Sequence, residues 1–254
     1  MICQPISKAV MVAAAFLALT SSAGAQQPAA QPAGDTKADR VAALKQSLQQ
    51  GQALIRKYEW VETTIISMKG EEKARKQNRC YYGADGKVQK TPIAGDAPQA
   101  AAESGGGGRS GRRGGGKVKE HVVENKKGEI QDYMESAVAL IHQYVPPDPA
   151  KIQAAKEGGR IKPEGQAGGQ ARLQISEYLK PKDSMTIDID GAANRLLGLG
   201  VNTYLDKPDE PVTLAVQMGA LPDGATYAAQ TTLEATAKNI RVVIQNSGHR
   251  PLSQ

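Results

Sequence analysis

The spacing of apolar positions changes twice along the chain. In residues 37–58, Val41, Leu44, Leu48, Ile55 and Tyr58 recur at helical spacing while Lys45, Gln49, Gln52 and Arg56 fall on other faces, which predicts one amphipathic helix. Residues 59–68 (EWVETTIISM) are dense in Trp, Val, Thr and Ile, and 74–82 resume after the charged turn at 69–73, which predicts two strands. Gly83-Ala84-Asp85-Gly86 supplies turn chemistry for a hairpin into a third strand at 87–93, because Asp and Gly tolerate the positive φ of tight turns. The helical period then returns. Ile130, Tyr133, Met134, Ala137, Val138, Ile141, Tyr144 and Val145 mark one face of a helix stopped by Pro146-Pro147. Asp148 and Pro149 form an N-cap and N1 pair for a short helix to about 156.

From residue 171 the period becomes two. Met185, Ile187 and Ile189 alternate with Thr186, Asp188 and Asp190, and Val212, Leu214, Val216 and Met218 alternate with Thr213, Ala215 and Gln217. Each of these strands therefore has one dry and one wet face. Turn residues divide the run into six strands near 172–179, 184–190, 194–204, 211–219, 226–236 and 239–246. The glycine-rich stretch 158–170 reads as a loose connection. The fold class expected is α+β: a single domain over 37–250, with one curved antiparallel sheet of about nine strands forming an open half-barrel under covering helices.

The first 36 residues stand apart from this pattern. Lys8 precedes an apolar stretch at 9–19, and Ala23-Gly24-Ala25 has the small-x-small form of a cleavage site. That stretch is too short for the roughly 20 residues a membrane helix needs, so 1–25 reads as a secretory signal peptide and the protein as periplasmic, without a lipid anchor. Residues 26–36 read as a disordered leader rich in Pro, Ala and Gln.

Export changes the meaning of the cysteines and of the charge. Of the two cysteines only Cys80 follows the signal, so no intramolecular disulfide is expected and packing alone must hold the fold. The formal net charge is +6. Beyond the signal it is +5, and Arg109, Arg112, Arg113, Lys117 and Lys119, with no acid in residues 104–119, account for all of it. Most of this stretch belongs to a Gly/Arg-rich insert at about 94–117, which contains GGGGRSGRRGGG and is expected to be flexible. Arg109, Arg112, Arg113 and Lys117 are candidates for contact with an anionic membrane surface or envelope protein. The rest of the chain is balanced, which argues against nucleic acid as a partner.

Several segments carry a resemblance. The helix leading into YEWVETTIISMKG (58–70), the hairpin RCYYGADGKVQKT (79–91), the meander opening SMTIDIDGAANRLLGLGVNTYL (184–205) and the closing NIRVVIQNS (239–247) resemble the outer-membrane lipoprotein carrier (LolA-like) superfamily of periplasmic proteins. The resemblance implies an unclosed barrel lidded by helices, whose concavity holds acyl chains or apolar peptides. It transfers no catalytic or gating residue.

Motifs of catalysis are not found. His121, His142 and His249 are far apart and show no metal-ligand spacing, and there is no nucleophile elbow or phosphate loop. No cofactor, metal or catalytic residue is expected. The function read from the chain is that of an exported, non-enzymatic and monomeric binding protein that shelters an acyl chain or a lipidated protein. Its candidate ligand contacts are Trp60, Met185, Ile187, Leu214, Val216 and Met218. The alternative is a periplasmic scaffold or envelope-stress sensor with a filled core, acting through protein contacts.

Overall fold

The computed structural model describes residues 37–93, 116–165 and 169–252. Helix α1 (Lys37–Ile55) is followed by strands β1 (Tyr58–Met68), β2 (Glu71–Tyr82) and β3 (Val88–Pro92). Helices α2 (Gly116–Ile141) and α3 (Pro149–Glu157) come next. The remaining strands are β4 (Ile161–Gly165), β5 (Gln170–Ser176), β6 (Ser184–Asp190), β7 (Arg195–Tyr204), β8 (Pro211–Ala220), β9 (Thr226–Ala235) and β10 (Ile240–Pro251). All ten form one antiparallel sheet in the order β3-β2-β1-β10-β9-β8-β7-β6-β5-β4. The sheet is curved and does not close, because β3 and β4 remain as free edges. Pro92 and Pro163 stand on those edges, where a missing N–H costs no ladder bond and discourages pairing with another chain.

The open half-barrel agrees with the expected class, while several boundaries differ: β2 begins at Glu71 rather than 74, β5 spans Gln170–Ser176 rather than 172–179, and β10 runs on to Pro251 rather than ending at 246. The sheet has ten strands rather than nine: β4 lies within the stretch read as a loose connection, where Ile161 faces Ile175 and Pro163 faces Leu173. Glycine content hides a strand whose stability comes from its neighbour. Helix α2 begins at Gly116, inside the segment expected to be a flexible insert, because Lys, Glu and Val can extend a helix without an apolar stripe. Helix α1 ends at Ile55, and Tyr58 opens β1 instead of closing the helix. The signal and leader segments, and residues 94–115 of the insert, lie outside the described residues.

Registers place the core. Met185, Val201, Leu214, Leu233, Val242 and Ile66 face one another in succession across six strands. One ladder step away toward the chain's β7–β8 turn, Thr203, Val212, Ala235, Ile240 and Met68 form a second row. Both rows belong to the inner face, and their buried members join Met134, Ala137, Val138 and Ile141 of α2 in a single cluster, so this end of the half-barrel is filled. Polar groups also pin it. Tyr144, just past α2, donates its hydroxyl proton to Asp183 and lies 2.8 Å from the Thr203 hydroxyl.

Cavity at the open end of the half-barrel

On the other side of the core, the row Ile187, Leu199, Val216, Thr231, Ile244 and Thr64 marks where filling stops. A cavity of about 310 Å³ begins there. Leu199 and Val216 form its floor beside Leu196 and Met218, and Leu48 and Ile55 of α1 form the opposite wall. Val145, Pro146 and Pro147, between α2 and α3, close one side. Trp60, Tyr82, Tyr227 and His249 supply an aromatic flank.

Strand alternation alone would not aim all of these side chains inward. In β7, Asp188 faces Gly198 but Ile189 faces Leu196, so Leu197 is an extra residue and both Leu196 and Leu199 point inward. In β9, Gln217 faces Gln230 and Met218 faces Ala228, which turns both Thr231 and Ala228 to the cavity. In β10, Glu59 faces Arg250 and Val61 faces Ser247, with Gly248 at φ 63°. That left-handed glycine forms a bulge, and it rotates His249 onto the same face as Asn246. Bulges in three strands at the same end of the sheet widen it where the core leaves off.

Polar groups in the wall are paired with one another. The Trp60 indole Nε1 donates to Asn246 Oδ1 at 3.1 Å, and Asn246 Nδ2 donates to the Ala228 carbonyl at 2.8 Å. The indole N–H is thereby satisfied and its ring is left as apolar surface. The ring centroid of His249 lies 3.9 Å from that of Tyr227 and 6.1 Å from that of Trp60. Glu62, only 7% exposed, receives Lys90 Nζ on both carboxylate oxygens at 2.6 and 2.7 Å. The pair bridges across β2, which is how a carboxylate tolerates this depth. Cys80 sits on the intervening strand, opposite both Trp60 and Lys90. Burial, reinforced by the Glu62 charge, pushes its thiol up to about 12, so it remains protonated and is a packing residue rather than a nucleophile.

Burial also lowers the pKa of His249 and keeps its imidazole neutral among the rings. The folded state then binds fewer protons than the unfolded chain below the ordinary histidine value of about 6.5. The stabilisation is complete above that pH and is lost as pH falls through the lowered folded value, with no further loss below it. Thermal melts at a series of pH values should show this acid-side loss in the native protein and not in His249→Phe. Parallel curves for the two proteins would refute it.

Of the residues expected to touch a ligand, Trp60, Val216 and Met218 line the cavity. Met185, Ile187 and Leu214 do not. They share the inner face and the buried cluster with Val216, but Met185 and Leu214 lie one ladder step toward the β7–β8 turn and Ile187 lies on β6, nearer the β4 edge. Arg109, Arg112 and Arg113 lie outside the described residues, and Lys117 falls in the first turn of α2. The sequence reading missed Glu62, Lys90, Tyr82, His249 and Arg56. Glu62 had a usable signal, since it follows Trp60 by two and must share its inward face.

No protein-family profile matches the chain. No curated protein matches it either. Among solved structures it is similar to a DUF1329 family protein from Desulfovibrio piger, at 14% identity and a TM-score of 0.38, over 84% of this chain and 94% of that one. It is also similar to a LolA superfamily protein from Nitrosomonas europaea, at 6% identity and a TM-score of 0.34, over 83% of this chain and 94% of that one.

Proposed function

We propose that this chain is an exported, non-enzymatic binding protein that shelters a single apolar chain in the open end of its half-barrel. The observation that carries the reading is the cavity of about 310 Å³, which continues the inner face of the sheet beyond its filled rows and is walled by Leu, Ile, Val, Met and aromatic side chains. Apolar concave surface of this kind is costly to leave to water and is the usual form of a small-molecule site. Its volume equals about ten waters at about 30 Å³ each. That accommodates one medium-length chain and not the several chains of a lipidated protein. Export is read from the Lys8, apolar stretch and Ala-Gly-Ala pattern at 1–25. Among the described residues no helix is long and apolar enough to cross a membrane.

Trp60 is the one tryptophan in the chain and lines the cavity, so its emission reports on occupancy directly. Titration with decanoic acid should shift that emission saturably, and Leu199→Phe, which fills the floor, should weaken binding at least tenfold. Native mass spectrometry of protein purified without detergent should show a small bound species released on denaturation. A bare mass together with an unresponsive Trp60 would sink the reading and favour a scaffold that acts through protein contacts.

A further inference from the structure

The cavity wall carries three charged side chains, Glu62, Lys90 and Arg56. Two of them cancel: Lys90 gives its ammonium to both oxygens of Glu62. The third does not. Arg56 makes no ion pair among the described residues. Among the described residues the wall therefore carries one positive charge that no ion pair neutralises, and burial keeps His249, also in the lining, from adding a second.

The placement of that charge is specific. Arg56 follows the last residue of α1 and is exposed, and its guanidinium carbon lies 6.0 Å from the centroid of the Tyr82 ring on β2. Its Nη1 stands 4.0 Å from where a Cβ on Gly86 would sit, in the turn between β2 and β3. The side chain thus reaches from the end of the helix to the hairpin, along the solvent-facing part of the lining. The Tyr82 ring lies at the outer limit of a cation–π contact, and no hydrogen bond or ion pair among the described residues takes up the guanidinium N–H groups. Those groups form a planar fork that matches a carboxylate or phosphate, and a neighbouring apolar wall strengthens such a bond by lowering the local dielectric.

We infer that the ligand is a single-chain amphiphile with an anionic head, its tail against the Leu196, Leu199, Val216 and Met218 floor and its carboxylate or phosphate on Arg56. This rests on the cavity reading above and adds the head group to it. A cationic head would meet Arg56 with repulsion, and a neutral one would leave the fork unused.

The test is a decyl series at pH 8 and low salt, each probe below its micelle concentration, followed by calorimetry and Trp60 emission: decanoate, decyl phosphate, decanol and decyltrimethylammonium. Decanoate or decyl phosphate should bind at least tenfold tighter than decanol, and the ammonium probe should bind weakest. The ratio of the two anions identifies which head is preferred. Arg56→Gln should lower anion affinity to the level of decanol while leaving decanol itself unchanged, and Arg56→Lys should keep part of the preference. Added salt should shrink the preference in the native protein. Equal binding of all four probes, or equal weakening of decanol and decanoate in Arg56→Gln, overturns the head-group assignment and leaves the cavity reading standing. Failure of every probe to bind overturns both.

Discussion

Asp183→Ala should destabilise the protein by about 4 kcal/mol, with four donors, two of them only partly buried, each left without an acceptor at the low end of about 1–3 kcal/mol. Asp183 is 3% exposed and joins β5 to β6. Its Oδ1 accepts the Tyr178 N–H at 2.7 Å, and its Oδ2 accepts the Lys180 N–H at 2.8 Å, the Leu179 N–H at 3.1 Å and the Tyr144 hydroxyl. Alanine removes all four acceptor contacts at once, from a site with little water to replace them. Burial, and then the Asp183 hydrogen bond, hold the Tyr144 phenol well above its ordinary pKa, so it stays a donor throughout the physiological range. Tyr144→Phe removes only one of the donors and should cost about 1–2 kcal/mol. Melting experiments should therefore rank the proteins native, Tyr144→Phe, Asp183→Ala, with the last lowered by about 10 °C. A shift below about 2 °C for Asp183→Ala would show that these bonds are not what fixes the α2–α3 connection. That connection matters to the cavity, since it presents Val145, Pro146 and Pro147.

Gly51→Val is expected to cost about 3 kcal/mol, at the upper end for overpacking a filled contact. Gly51 lies on α1 where the helix meets the start of β9, and a Cβ placed on it would stand 2.3 Å from Thr226 Oγ1 and 3.0 Å from its Cγ2. Helix propensity favours replacing this glycine, by up to about 1 kcal/mol for alanine. The steric term opposes it and is larger. The helix must lift from the sheet, and with it Leu48 and Ile55, which form one wall of the cavity. Thr226→Gly in the same chain should restore a good part of the loss, giving a coupling of at least about 1 kcal/mol in a double-mutant cycle. Additive effects, or a stabilised Gly51→Val, would mean that α1 does not depend on close approach at this point.

How far the sequence carried the fold depends on how local each signal was. The inward alternation of Val212, Leu214 and Val216 is a property of one strand, and it is visible without knowing the neighbours. The cap formed by Asp148, whose Oδ1 accepts the Ala150 N–H at 2.8 Å, is equally local. Strand β4 has no such signal. Pro163 and Gly165 argue against a strand on intrinsic grounds, and only pairing with Leu173 and Ala171 makes one. The same holds for the join between β1 and β10, which brings Met68 opposite Ile240, a residue far away in the sequence.

The sequence by itself determined the α+β class, the meander, the dry face of the sheet and the presence of Trp60, Val216 and Met218 on that face. A period of two or 3.6 is enough to say which side of an element seeks the core. Tertiary structure alone decided which part of the dry face is filled and which is left open. Met185 and Leu214 carry the same pattern as Val216 and share its buried cluster, yet they lie one ladder step toward the β7–β8 turn and do not line the cavity. Bulges at Leu197, Ala229 and Gly248 decided that Leu196, Ala228 and His249 also face the cavity, by reversing the alternation that the pattern predicts. The pairing of Glu62 with Lys90, which leaves Arg56 as the unbalanced charge, needs three strands and a helix end in one place. Periodicity reports a preference of each residue for burial, whereas a cavity is a shortfall of neighbours, and neighbours distant in sequence are assigned only when the sheet curls around its helix.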